Sequence, residues 1–279
     1  MGEFNLSLTK EDLEQLEEFA KKIRKKIIGM AYKAGSKSSH FGGSLSNVEI
    51  LTLLYAKIMH LNISEPDNQD RDRFILSKGH GCLAFYSCLS EVGLLDEKYL
   101  DTFEESGSML LGHPVINKKI GIEFSNGSLG MGLSLGIGVA LGLLKKHIDR
   151  HVYVLIGDGE CNEGSIWEAC MAAKSYELSN LTVILDHNKF QQTGSNKDIL
   201  KTENLSNIWR GFGWNVLETD GHNLSSLYEC FEKKFNNNIP KIIIANTIKG
   251  KGFSFSENNN EWHHSVLTEK LYNLALEEL

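Results

Sequence analysis

The amino-acid sequence predicts an α/β fold, a parallel sheet sandwiched by helices. Three observations carry that expectation. The stretch from Val152 to Gln191 alternates an apolar β-branched run, a Gly157-Asp158-Gly159 turn, a helical pattern over about 163–178, and a second apolar run from Leu181. That is the strand, turn, helix, strand unit of parallel sheets. Two further short apolar runs, Arg73 to Ser77 and Lys241 to Thr247, each end in a glycine-containing turn. Of the 279 residues, 41% are hydrophobic and 23% charged, so the chain has the composition of a globular protein with ample core. One domain over 1–279 is expected, loop-rich from about residue 250.

The elements follow in order. Leu8 to Ala34 reads as a first helix, with Thr9 and Asp12 as a capping box, apolar residues at three-or-four spacing, and Gly35 as its stop. After a polar loop, Ser38 to Ser46, a second capping box of Ser46 with Glu49 predicts a helix to about Leu61. Pro66 marks a connection into the Arg73–Ser77 strand. Lys78-Gly79-His80-Gly81 then turns into a helix to about Val92, and Asp96 to Ser106 into a short acidic one. Gln191 to Ser206 reads as loop and Ser225 to Phe235 as helix.

Charge and cysteine usage narrow the function classes. The net charge of −7, without a basic tract, disfavours nucleic acid as a partner. The five cysteines show no C-x-x-C spacing, so neither a disulfide framework nor a zinc site is indicated, and a cytoplasmic location is the simple expectation. The N-terminus has no apolar signal core. Gly127 to Leu144 is uncharged over 18 residues, long enough for a membrane candidate. Six of these are glycine, however, and the strips Gly132/Gly136 and Gly138/Gly142 predict a soluble helix pressed on a sheet, with no membrane.

The central segment carries the chemistry. Asp158 and Asn188 lie 30 residues apart and end neighbouring strands at one sheet edge, where ligands of open α/β sheets bind. A carboxylate and an amide oxygen beside a helix N-terminus suit a hard cation shared with phosphate. Gly159 would let the backbone approach that phosphate. The competing dinucleotide fingerprint needs G-x-G-x-x-G, whereas no glycine follows Gly159 until Gly164.

The GDG turn followed by Asn188 resembles the thiamine-diphosphate motif, and from about Leu8 to Thr268 the chain resembles the N-terminal half of a transketolase. The resemblance implies the diphosphate-binding (PP-type) fold, with Asp158, Asn188 and the Phe190 carbonyl holding Mg²⁺, Ca²⁺ or another divalent ion against thiamine diphosphate. S-x-H-x-G-G-x-L-S around His40 resembles the family's first histidine motif, with Phe41 where proline is commoner. DRFILSKGHG matches the second, which implies that His80 reaches the diphosphate. G-H-P followed by G-S-L-G implies that His113, Gly127 and Leu129 lie on the thiazolium side, and Trp262-His263 resembles the last histidine motif. His40, His113 and His263 are thereby implied as catalytic. His80, Gly127, Leu129, Gly159, Glu163, Asn188 and His263 are implied as cofactor-binding. The T-x-K-G-K-G match places Lys249 and Lys251 near the site. Glu163 reads on its own as an N-terminal helix charge; in the family it communicates across the subunit interface.

The resemblance further implies transfer of a two-carbon ketol unit from a ketose or ketose phosphate to an aldose. Only fifteen residues follow His264 (279 − 264), so the pyrimidine-binding and C-terminal domains of a transketolase are expected to be absent. A separately encoded C-terminal subunit, in a heterotetramer of two copies of each, is the expected partner. The alternatives are the α subunit of a thiamine-dependent 2-oxo acid dehydrogenase and a non-catalytic cofactor-binding partner.

Overall fold

The computed structural model describes residues 7–202 and 204–279; the N-terminal stretch read above as lacking a signal core begins outside them. The first helix, α1 (Lys10–Ala34), is capped as its sequence demands. Thr9 Oγ1 accepts the Asp12 N–H at 3.1 Å, Asp12 Oδ2 accepts the Thr9 N–H at 3.1 Å, and Gly35 ends the helix at φ 56°. The second expected capping box does not form. The chain instead makes α2 (Gly42–Leu45), α3 (Val48–Leu53) and a wide turn over Leu54–Ile58. Ser46 Oγ donates to Asp186 Oδ2 at 2.7 Å and Glu49 pairs with Arg24 and His222, because both side chains are buried and find tertiary partners.

The sheet comprises β1 (Arg73–Leu76), β2 (Val152–Gly157), β3 (Leu181–His187), β4 (Asn215–Asp220) and β5 (Lys241–Asn246), in the order β1-β2-β3-β5-β4 with every pair parallel. Strict alternation is hidden in these near-continuous apolar runs, but the two faces separate by it. Phe74, Leu76, Tyr153, Leu155, Ile184 and Ile243 share one apolar cluster with α1, α3, α4 (Cys82–Glu91) and α9 (Leu224–Glu232), and α10 (Glu269–Glu278) packs on α1. Ile75, Val154, Val183 and Ile244 pack under α5 (Met131–Lys145), α6 (Gly164–Ser175) and α8 (Leu205–Gly211). A single turn, α7 (Asn196–Ile199), interrupts the loop after β3.

The glycine-rich α5 is a sheet-packing helix, as expected, although it starts only at Met131. A Cβ at Gly132 would overlap Ser77, and one at Gly136 would overlap Val154. Gly138 and Gly142 face open space, so only one of the two expected strips is a packing strip. No helix among the described residues is long and apolar enough to cross a membrane.

Three elements escaped the sequence pattern. Strand β4 is an edge strand whose mixed exposure follows its mixed sequence, NVLETD. Helix α8 is one short segment anchored by the buried Trp209. Helix α10 lies in the segment read as loop, and Tyr272 stacks on Tyr32 of α1 at 4.5 Å. The acidic segment after Asp96 is a 3-10 turn, Glu97–Thr102.

Candidate active site

A cleft of about 470 Å³ opens beyond the carboxyl ends of β1, β2, β3 and β5. Every residue singled out from the sequence as catalytic, cofactor-binding or metal-binding lines it: His40, His80, His113, Gly127, Leu129, Asp158, Gly159, Glu163, Asn188, Phe190 and His263. The parallel sheet explains the convergence, since Gly157 is in register with Asp186 and the chain leaves both strands at the same edge.

One corner of the cleft is built from oxygens. Asp158 Oδ1 accepts the Gly159 N–H at 2.8 Å and Oδ2 the Lys189 N–H at 2.5 Å. Lys189 adopts φ 70°, a left-handed conformation that turns the chain back so that Asn188 Oδ1 accepts the Phe190 N–H at 3.1 Å. The Asn188 amide nitrogen donates to Asp186 Oδ2 at 3.0 Å, which fixes which end of the amide is oxygen. Asp186 is fully buried and also accepts from Ser46, Thr247 and the buried Lys78 ammonium. Burial, then the Asp186 charge, raises the Asp158 carboxyl to about 6. A desolvated acid beside a second acid is a place that favours a cation.

A second clamp shapes the neighbouring wall. Glu160, buried, accepts from the Gly130 N–H at 2.7 Å and from Ser77 through Oε1, and from the Gly157 N–H at 3.1 Å through Oε2. Ser77 Oγ in turn accepts the Gly132 N–H at 3.1 Å. The Gly127–Gly130 loop, which needs φ 82° at Gly130, is thereby locked to the ends of β1 and β2.

The histidines form one cluster on the other side. His40 lies 5.7 Å from His80, 5.2 Å from His113 and 5.5 Å from His263, ring centre to ring centre. Burial, followed by neighbouring positive groups, lowers His40 and His263 to about 3 and His80 well below its usual value. His113 is lowered by burial as well. These rings are therefore neutral near pH 7, able to accept a proton or to donate one N–H hydrogen bond. Lys249 Nζ donates to His263 Nδ1 at 3.0 Å, and because an ammonium cannot accept, His263 carries its proton on Nε2. His264 meets His40 edge-on at 4.4 Å between ring centres and bonds Ser38 but does not line the cleft.

The comparisons with known proteins agree with this geometry. Residues 17–275 match the family described as transketolase, thiamine diphosphate binding domain. The chain belongs to the transketolase family. It is 43% identical over 279 residues to one of the subunits of the apulose-4-phosphate transketolase of Actinobacillus succinogenes, covering all of this chain and 99% of the relative. It is 40% identical over 265 residues to the 6-deoxy-6-sulfo-D-fructose transketolase subunit of a Clostridium species, covering 95% and 96%. The solved transketolase of Campylobacter jejuni superposes with a TM-score of 0.86 at 30% identity, covering 95% of this chain and 42% of that one. The fold is thus the thiamine-diphosphate-binding α/β fold, and the chain corresponds to the N-terminal subunit of a split transketolase.

The residues of this transketolase chain fit the cofactor. Among the described residues no group of three or more His, Cys, Asp or Glu could hold a metal alone. A cation held by Asp158 and Asn188 would need further ligands from elsewhere, which diphosphate oxygens could supply. On the cleft's other side Lys249 is lowered to about 8 by burial and then by Lys78, so a bound anion would relieve both amines. Lys78, Glu160 and Asp186 were not singled out from the sequence. The available signal was an acid or base at the end of an apolar strand, where burial demands a partner. Lys251, expected near the site, pairs with Glu257 and does not line the cleft. A Cβ on Gly159 would sit 2.9 Å from Gln191, so in this structure the close approach there is made by a side chain.

Proposed function

We propose that the chain works as the diphosphate-binding half of a two-component transketolase, moving a two-carbon ketol unit from a ketose to an aldose. The observation that carries the reading is the convergence of Asp158, Asn188 and Phe190 with four neutral histidines in one cleft. In it Asp158, Asn188 and the Phe190 carbonyl hold a divalent ion, by preference Mg²⁺, and His80, Gly159 and Lys249 lie along the diphosphate. Bound thiamine diphosphate supplies the nucleophilic carbon and the electron sink. The protein orients, excludes water and moves protons. His40, His113 and His263 face the substrate oxygens, where positioned imidazoles contribute on the order of 10²–10⁴ to rate.

A second protein chain fits the surface. Met109, Leu111, Val115, Ile116, Met131, Ile199, Leu200 and Val266 are exposed, and each lies within ten residues of one that lines the cleft. Exposed large apolar side chains of this kind are the material of a docking surface. The relatives whose names make them subunits of transketolases support a separate partner subunit; we assign to that partner the C-terminal half, and to the pair a heterotetramer of two copies of each in the cytoplasm. Those relatives are named for apulose-4-phosphate and 6-deoxy-6-sulfo-D-fructose, so anionic ketoses are the first donors to try. Neither a 2-oxo acid dehydrogenase subunit nor a non-catalytic partner is favoured by the family match. The test is to mix the chain with its C-terminal partner and assay the pair on a panel of ketose donors. Ketol transfer by the pair and none by either alone is expected; pyruvate decarboxylation without ketose turnover would overturn the proposal.

A further inference from the structure

The loop after β5 is held from outside the cleft as well as from within. Inside, Lys249 Nζ donates to His263 Nδ1, to the Gln191 carbonyl at 3.0 Å and to Asn260 Oδ1 at 2.6 Å. Outside, the Ile248 N–H donates to His222 Nε2 at 2.8 Å, and Arg24 Nε reaches the Lys251 carbonyl at 3.4 Å. His222 comes from the turn after β4, Arg24 from α1 and Glu49 from α3. Glu49 joins the other two: its Oε1 accepts from Arg24 at 2.6 Å and its Oε2 pairs with His222 Nδ1 at 2.8 Å.

The directions of these bonds are fixed. A backbone N–H only donates, so His222 Nε2 is the acceptor and Nδ1 carries the proton offered to Glu49. Burial alone would raise the Glu49 carboxyl, but the His222 hydrogen bond and the Arg24 charge outweigh it and hold it below its usual value. A charged, doubly engaged carboxylate therefore sets both the tautomer and the rotation of the ring. On the far side of Lys249 the loop has other anchors: Gly250 N–H to Gly42 O at 3.0 Å, and Asn258 N–H to Lys249 O at 2.9 Å. On the Ile248 side Thr247 is tied to the end of β3, its N–H donating to the His187 carbonyl at 3.2 Å and its hydroxyl to Asp186, and the Ile248 N–H itself is held by His222. The Lys249 stem is long and flexible, so the place its amine reaches depends on the backbone that carries it.

We propose that His222, set by Glu49 and Arg24, is a positioning residue that holds the Ile248–Lys251 loop so that the Lys249 amine stands in the cleft beside His263. The consequence for thiamine diphosphate rests on the function proposed above; the positioning itself does not.

The test uses the full chain and three variants. His222→Asn reaches Glu49 but leaves the Ile248 N–H unpaired, His222→Ala removes both contacts, and His222→Gln presents an oxygen near the Nε2 position. Acetylation rates at Lys249 are read by mass spectrometry against Lys241, a partly buried lysine at the other end of β5 that bonds the carbonyls of Cys230, Phe231 and Lys233. With Lys241 unchanged, His222→Asn and His222→Ala should raise the Lys249 rate about fivefold, the equivalent of one net hydrogen bond, while His222→Gln stays near wild type. Calorimetry should show thiamine diphosphate binding weakened in the same order. A folded His222→Asn chain whose Lys249 reacts at the wild-type rate would overturn the proposal. Should His222→Asn fail to fold, Arg24→Met decides, since it leaves His222 in place and loosens Glu49; an unchanged Lys249 rate there also overturns it. If wild type binds no thiamine diphosphate, the functional reading fails while the labelling result still stands.

Discussion

The buried Lys78–Asp186 pair gives the sharpest energetic prediction. Both side chains are fully buried. Asp186 also accepts from Ser46, Thr247 and Asn188, whereas Lys78, among the described residues, donates besides it to the Gly43 carbonyl at 3.0 Å and to Asn47 Oδ1 at 3.5 Å. Removing one member of a buried pair costs about 3–5 kcal/mol, because the other charge stays desolvated without a counter-ion. Lys78→Met should fall near the lower end, since three hydrogen bonds still solvate the Asp186 carboxylate. Asp186→Asn should fall near the upper end, since it leaves a buried ammonium with neutral acceptors in place of its counter-ion. Against a total stability of about 5–15 kcal/mol, either loss moves a urea midpoint far outside error. The double variant carries no stranded charge and should be more stable than Asp186→Asn alone by at least about 1 kcal/mol. Asp186→Asn should also weaken thiamine diphosphate binding, because Asn188 loses the carboxylate that sets its amide. Single variants each costing less than about 1 kcal/mol, or costs that simply add, would refute the reasoning.

The remaining predictions concern pH and packing. His151 is partly buried and bonds Thr182 Oγ1 at 2.8 Å, and desolvation followed by Lys241 lowers it to about 3. Its folded value lies below the unfolded one, so the unfolded chain binds more protons between about pH 3 and 6.5 and stability falls as pH drops through that window. At pH 5 this group should cost about 2 kcal/mol relative to pH 7, and His151→Gln should remove that share of the slope in urea midpoints. Proton NMR of the ligand-free chain should show no titration of His40 or His263 between pH 5 and 8; a midpoint near 6.5 for either would contradict their neutral state. Gly132→Ala should destabilise by about 1–3 kcal/mol through its overlap with Ser77, whereas Gly138→Ala, in open space, should stabilise by up to about 1 kcal/mol. Thermal melts of the two variants moving in the same direction would show that the packing face of α5 is wrongly assigned.

The site was more legible in the sequence than the fold around it. Parallel strands deliver their carboxyl ends to one edge, so apolar runs followed by Asp158, Asn188 and Lys249 announce a shared cleft before any coordinates. Elements without a strong period stayed hidden: β4 is a half-exposed edge strand, and α8 depends on one tryptophan. Ser46 shows the limit from the other side, since S-x-x-E satisfies the local capping rule while its hydroxyl is spent on Asp186, a residue 140 positions away. Glu160 and Lys78 failed for the same reason, their partners being contributed by other strands and loops. Local rules predict local bonds, and tertiary competition is visible only once the sheet is assembled.

The most direct test of the central claim is calorimetric titration of thiamine diphosphate into the chain, with Mg²⁺ and after its removal by chelation, for wild type, Asp158→Ala and Asn188→Ala. The account predicts one saturable, metal-dependent site per chain, lost with the metal and lost in both variants. Binding that survives chelation and both substitutions would contradict it.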